Sequence, residues 1–373
     1  MNNTISKNPF IPVLCVDKVV DTLSDIFTSA VASGTPFKKI PSVMLWGAPG
    51  VGKSQAIRQV ASRLEANTGK KCVVTDVRLL LFNPIDLRGI PTANADKTLA
   101  IWLKPQIFQM NPDKGVINLL FLDEISAAPQ SVQAAAYQIT LDRIIGEHKL
   151  PDNCIVIAAG NRVTDKSVSF KMPRALANRL CHLEVESNFD SWHRWAISAG
   201  LSPIVTGFLS FRRNYLIENE SESESLAFPT PRSWEMVSNL LNMSGQNLTA
   251  IYDLVCGCIG TGVASELRTW CRVFKALPSI DDIFRGKCSS VPKQTDELYA
   301  LVASMVAYAK DHKDNTALIE NSLSYSLLLP PDFSVVLVTG YMAIDEGYRN
   351  KLLTMPAFKK WISLRGKSLN GIR

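Results

Sequence analysis

The stretch SVMLWGAPGVGKS, residues 42–54, constrains this chain more than any other. A short apolar run leads into a glycine-rich turn, and helix formers follow through Leu64. Gly47, Ala48, Pro49, Gly50, Val51, Gly52, Lys53 and Ser54 fit the P-loop pattern G-x-x-x-x-G-K-[ST] in full. Gly50 and Gly52 admit the backbone angles and the close approach that let successive N–H groups wrap an anion. A helix beginning at Lys53 aims its positive dipole end at the same anion. Lys53 then reaches the β- and γ-phosphates of a nucleotide, and Ser54 ligates Mg²⁺. The context of strand before and helix after is the one such a loop needs.

Four further apolar runs read as strands: 72–80 (CVVTDVRLL), 116–126 (VINLLFLDEIS), 153–162 (NCIVIAAGNR) and 181–186 (CHLEVE). Apolar runs without alternation, as in 116–126 and 153–162, imply burial on both faces. Helical stretches separate most of them, so an α/β fold is expected, a parallel sheet with helices on each side. A helix over 17–33 precedes the first strand, with Val19, Val20, Leu23, Ile26, Phe27 and Ala30 at helical spacing. Residues 83–105 (NPIDLRGIPTANADKTLAIWLKP) are too long and too rich in Pro, Gly and Asn for a simple connection, and read as an insertion containing a small hairpin. Its DLRG and IW form either a substrate-facing element or a turn buried against the core.

After residue 187 helical periodicity takes over, at 233–243, 247–257, 263–276, 294–310, 332–344 and 350–362. The acidic, serine-rich run 218–225 (ENESESES) is a loop. CGCIGTG (256–262) follows a helix and reads as close helix packing. The domain division expected from these changes is 1–186 for the α/β core, 187–288 for an α-helical lid and 289–373 for a C-terminal helical extension.

Composition narrows the function classes. No apolar stretch reaches the ~18–20 residues of a membrane span, and MNNTISKNPF lacks a signal-peptide pattern, so a cytoplasmic protein with no membrane partner is expected. Eight cysteines without a CxxC pair and only four histidines give no zinc pattern. The formal charge is +6, and seven Lys or Arg with no acid lie between Arg349 and Arg373; removing those seven leaves −1. The main body therefore carries no basic excess for nucleic acid, and no nucleic-acid partner is expected of it.

The strand at 116–126 ends in Asp123 and Glu124, a costly pair to place after an apolar run unless it meets a cation or a reacting group. Beside a P-loop, Asp123 suits Mg²⁺ and Glu124 suits activation of an attacking water. Asn161 ends its own strand and can hold that water between Glu124 and the γ-phosphate.

The order of strand, P-loop, DE strand, Asn-ending strand, PRALANRL (173–180) and helical bundle resembles the AAA+ ATPases over roughly residues 17–276. The 83–105 insertion and PTPRSW (229–234) resemble the MoxR group of the helix-2-insert branch. The resemblance implies an ATP hydrolase using ATP and Mg²⁺, a homo-oligomeric ring, hexameric by family habit, and chaperone-like remodelling of protein partners, among them proteins with a von Willebrand factor A domain. It also implies that Arg179 is an arginine finger for the neighbouring subunit and that Arg232 is the sensor-2 residue. Asn178 and Leu180 replace the usual acidic and aromatic neighbours of the finger, so Arg174 and Arg143 stay open as alternatives. A nucleic-acid-directed motor and a nucleotide-gated scaffold with little turnover are the competing functions. The tail, 349–373, reads as two short amphipathic helices broken near Pro356, either packed on the domain or docking on an acidic partner; under the second reading, truncation after Asn350 spares ATP hydrolysis.

Overall fold

In the computed structural model, which describes residues 11–162, 172, 177–217 and 225–365, the first described element is one the sequence did not announce. Strand β1 (Val13–Cys15) is only three half-buried residues long and runs directly into helix α1 (Val16–Ser33). The helix buries Val19, Val20, Leu23, Phe27 and Ala30, leaves Ile26 exposed, and stops at Gly34, whose left-handed backbone (φ 66°) returns its N–H to Ala30 and Val31. Strand β2 (Val43–Trp46), the P-loop and helix α2 (Lys53–Thr68) follow, then strand β3 (Lys71–Arg78).

The insertion holds helix α3 (Pro84–Arg88) and an antiparallel hairpin of β4 (Ile90–Ala93) and β5 (Ala100–Leu103). Asn83 and Asp86 cap the helix reciprocally. Ile90 pairs with Leu103, and both are more than half exposed (61% and 56%), so the hairpin is not a turn buried against the core. Its base is held by buried Leu87 and by His148 Nε2, 2.8 Å from the Trp102 carbonyl.

Strand β6 (Val116–Asp123), helix α4 (Gln130–Asp142), the small hairpin of β7 (Ile144–Ile145) and β8 (His148–Lys149), and strands β9 (Cys154–Gly160) and β10 (Cys181–Glu186) complete the first compact unit, Met1–Asn188. The six-stranded sheet is parallel throughout, in the order β1-β10-β2-β9-β6-β3. Every residue of β9 is buried, as its unbroken apolar run requires. Trp46 lies opposite Gly160, Leu122 opposite Ala158 and Arg78 opposite Asp123. The carboxyl ends of β2, β9, β6 and β3 therefore finish along one edge of the sheet.

The second compact unit, Phe189–Arg373, is helical among its described residues. It comprises α5 (Phe189–Ala199), α6 (Pro203–Phe211), α7 (Pro231–Met243), α8 (Leu248–Ile259), α9 (Thr261–Lys275), α10 (Ile280–Phe284), α11 (Thr295–Asp311), α12 (Thr316–Ser326), α13 (Pro331–Met342), α14 (Glu346–Thr354) and α15 (Pro356–Arg365). One apolar cluster gathers Trp192, Phe208, Trp234 and Trp270; a second gathers Leu301, Met305, Leu337, Tyr341, Phe358 and Trp361.

The tail takes the packed reading and not the docking one. Leu352, Met355, Phe358 and Trp361 are buried, and Trp361 Nε1 donates to Ser334 Oγ at 2.8 Å. The aromatic residues that looked like anchors for a partner are core. Residues 366–373, the run 218–224 and Arg174 lie outside the described residues. All eight cysteines are free thiols, and among the described residues no helix is long and apolar enough to cross a membrane.

Candidate nucleotide-binding site

The P-loop leaves β2 at Trp46 and turns at Gly47, where the sheet allows no side chain: a Cβ on Gly47 would meet the Val185 carbonyl oxygen at 2.5 Å. Gly52, at φ 105°, occupies a backbone region that other residues enter at a cost of about 1–2 kcal/mol. A Cβ there would also meet Val16 Cγ2 at 3.2 Å. These two constraints shape the loop and start α2 at Lys53, with the first helical N–H groups and the dipole facing the loop.

Lys53 is buried, which a cation tolerates only when its hydrogens are met. Nζ donates to the carbonyls of Gly47 (2.5 Å) and Ala48 (3.0 Å) and to Asn161 Oδ1 (2.9 Å). Ser54 Oγ donates to Asp123 Oδ2 at 2.9 Å. Three stretches far apart in sequence, carrying Lys53 with Ser54, Asp123 and Asn161, thus converge.

Asp123 and Glu124 divide in direction. Asp123 continues β6, and its Oδ1 accepts the Glu124 N–H at 2.9 Å. Glu124 breaks from the strand with a left-handed backbone (φ 57°), a conformation uncommon outside glycine and concentrated at functional sites. The chain then rejoins the sheet through Ile125 N–H to the Ala159 carbonyl. Ser54 Oγ and Asp123 offer oxygen donors only, a set that fits Mg²⁺, a hard cation that prefers oxygen ligands.

Four neighbours were not legible in the sequence. Ser126 Oγ accepts the Asn161 N–H at 2.9 Å, which fixes the residue that ends β9. Asp76 lies on β3 two residues before Arg78, on the face Arg78 shares with Asp123; burial and the Asp123 carboxylate push its carboxyl above the ordinary value, opposed by Arg78 and Arg58. Arg162, next after Asn161, pairs with buried Glu184 of β10 at 2.5 Å. Trp46 Nε1 donates to His182 Nδ1 at 2.9 Å. No spacing rule announces any of these, because Ser126, Arg162 and Trp46 each meet a partner more than 20 residues away.

The arginine candidates differ in setting. Arg179 is exposed in the turn that leads into β10, and among the described residues nothing pairs with its guanidinium. Arg143 is half-buried and donates to the carbonyls of Cys154 (3.0 Å) and Ile40 (3.3 Å). Burial lowers its pKa. Arg232 belongs to the second unit, exposed on the first turn of α7, whose start is capped by Thr230 and Ser233.

Residues 42–182 match the family model for ATPases associated with various cellular activities (AAA). That span begins just before β2, ends within β10 and contains Lys53, Ser54, Asp123, Glu124, Asn161 and Arg179. The strand order and the P-loop at the end of β2 give the AAA module its α/β AAA+ fold, and a helical part follows it. The match supports nucleotide binding and ATP hydrolysis by the module. No curated protein matches the chain. Among solved structures, the chain is similar to a mutant of RuvB from Thermotoga maritima (14% identity, 79% of this chain and 83% of that one, TM-score 0.35). It is also similar to PCH-2 of C. elegans (13% identity, 87% and 67%, TM-score 0.33). Likenesses this distant speak to no residue's role.

Proposed function

We propose that the chain is a MoxR-like AAA+ ATPase that hydrolyses ATP in a ring, most simply a hexamer, and uses the cycle to remodel or activate protein partners, including proteins with a von Willebrand factor A domain. The observation that carries the hydrolytic reading is the convergence of Lys53 on Asn161 and of Ser54 on Asp123 at the carboxyl edge of a parallel sheet. Ligands of open parallel sheets bind at that edge.

Gly47 to Gly52 cradle the phosphates through backbone N–H groups, and Lys53 pairs with the β- and γ-phosphate oxygens. Ser54 and Asp123 would hold Mg²⁺, which when bound offsets the phosphate charge. Glu124 takes the proton of the attacking water, and its departure from the strand supports a task distinct from that of Asp123. Asn161 orients that water. Arg179 acts in trans on the neighbouring subunit's γ-phosphate, a reading supported by its exposure and by the engagement of Arg143 with backbone carbonyls. Arg232 contributes from a lid over residues 187–288, and residues 289–373 extend that lid.

Two variants test this. Lys53→Ala should abolish tight ATP binding, because it removes the mobile cation of the cradle. Glu124→Gln should bind ATP as the parent does and lose turnover by about 10²–10⁴, the range for a positioned general base. Nucleotide binding and steady-state phosphate release measure both, and parental turnover in Glu124→Gln would remove Glu124 from the chemistry.

A further inference from the structure

His182, on β10, links Trp46 of β2 to the turn that precedes β10. Its Nδ1 receives the Trp46 Nε1–H at 2.9 Å, and its Nε2 lies 2.7 Å from the Ala177 carbonyl oxygen. An indole nitrogen only donates and a carbonyl only accepts, so both contacts are met by one neutral tautomer, with the proton on Nε2. The two rings stack at 6.1 Å and 20°.

Each end of this bridge is significant. Trp46 is bonded to Gly47, whose carbonyl takes Lys53 Nζ at 2.5 Å and whose N–H donates to Gly160 at 3.3 Å. On its β10 side Gly47 leaves no space for a side chain, because the Val185 carbonyl stands there. At the other end, the Ala177 carbonyl also accepts the Leu180 N–H at 3.3 Å and so closes the turn that carries Arg179. The β2–β10 pairing is already secured by its own register, Val43 to Cys181 through Trp46 to Glu184. The side-chain bridge adds a link from the phosphate loop, out of the sheet, to the Arg179 turn. A phosphate that draws Lys53 from the Gly47 carbonyl acts on the residue next to Trp46.

We propose that His182 is a positioning residue that couples a subunit's own phosphate loop to the Arg179 turn, so that the nucleotide in one subunit governs how Arg179 is offered to the next. This rests on the trans role of Arg179 proposed above. The test uses the full chain with His182→Phe, which keeps a ring and removes both hydrogen bonds, and Trp46→Phe, which removes the donor alone. Arg179→Ala is the control.

Affinity for a fluorescent ATP analogue should stay within about threefold of the parent, while kcat falls roughly tenfold, a fraction of the ~10³–10⁵ ascribed to a missing arginine finger. Equimolar mixing with Glu124→Gln subunits, which lack the base and keep the finger, should raise turnover per His182→Phe subunit. Mixing with Arg179→Ala subunits should not. Parental kcat in both variants, an affinity loss in step with kcat, or no rescue where Arg179→Ala is rescued would each overturn the role of His182. If the Arg179→Ala control itself is not rescued, the trans reading falls and this proposal with it. Should His182→Phe fail to fold, Trp46→Phe carries the same comparison.

Discussion

Asn161 illustrates how one side chain is set by groups far away in sequence. Its Oδ1 faces Lys53 from α2, and its N–H is held by Ser126, which lies just past the Asp123–Glu124 pair. Ser126→Ala removes the acceptor of a partly buried N–H, so stability should fall by about 1 kcal/mol. Turnover should fall as well, because Asn161 loses the contact that orients it. Thermal unfolding and kcat check this, and a destabilised variant with full turnover would show that the backbone contact does not serve the chemistry. Lys53, Ser54, Asp123, Glu124 and Asn161 were legible in the sequence because phosphate chemistry dictates residue type at a fixed distance from a strand end. Ser126, Asp76 and His182 were not. Hydroxyls, acids and imidazoles occur in many settings, and His182 meets its partner Trp46 across 136 residues.

At the scale of elements, β2, β6 and β9 announced themselves by apolar runs, β3 and β10 by strand-forming stretches with polar residues among them, and β1 did not. Three half-buried residues carry too little pattern, and their place is decided by a partner, β10, that comes more than 160 residues later. The final helices show the opposite failure. Their amphipathic character was legible, and it was the direction of the apolar face that the sequence left open. Trp361 in α15 is fully buried with its indole N–H on Ser334, so Trp361→Ala should cost about 3–5 kcal/mol. Truncation after Asn350 removes Leu352, Met355, Phe358 and Trp361 together and should unfold the helical unit rather than leave a working ATPase. Limited proteolysis and far-UV circular dichroism of the truncated chain test this; a truncated chain with native helicity and the parent's protease resistance would reverse the assignment of these residues to the core.

For the molecule as a whole, the ring reading makes a prediction of mass. Glu124→Gln chains with ATP and Mg²⁺ should form a particle of six chain masses by light scattering, and Lys53→Ala chains under the same conditions should not. A Glu124→Gln protein that stays monomeric while saturated with ATP would sink the assembly. The α/β half was readable because buried parallel strands and a P-loop each restrict the fold on their own. The helical half gave helices without an arrangement, since apolar periodicity fixes which face is buried and not which neighbour covers it.

The strand order also has a consequence for synthesis. Strand β2 lies between β9 and β10, so both its neighbours are encoded more than 100 residues after it. At the ~5–20 residues per second of translation, the strand that carries the P-loop waits roughly 5–30 s for its second neighbour. Until β9 is made, VMLW is an apolar segment with neither sheet partner available, and until β10 follows it has only one.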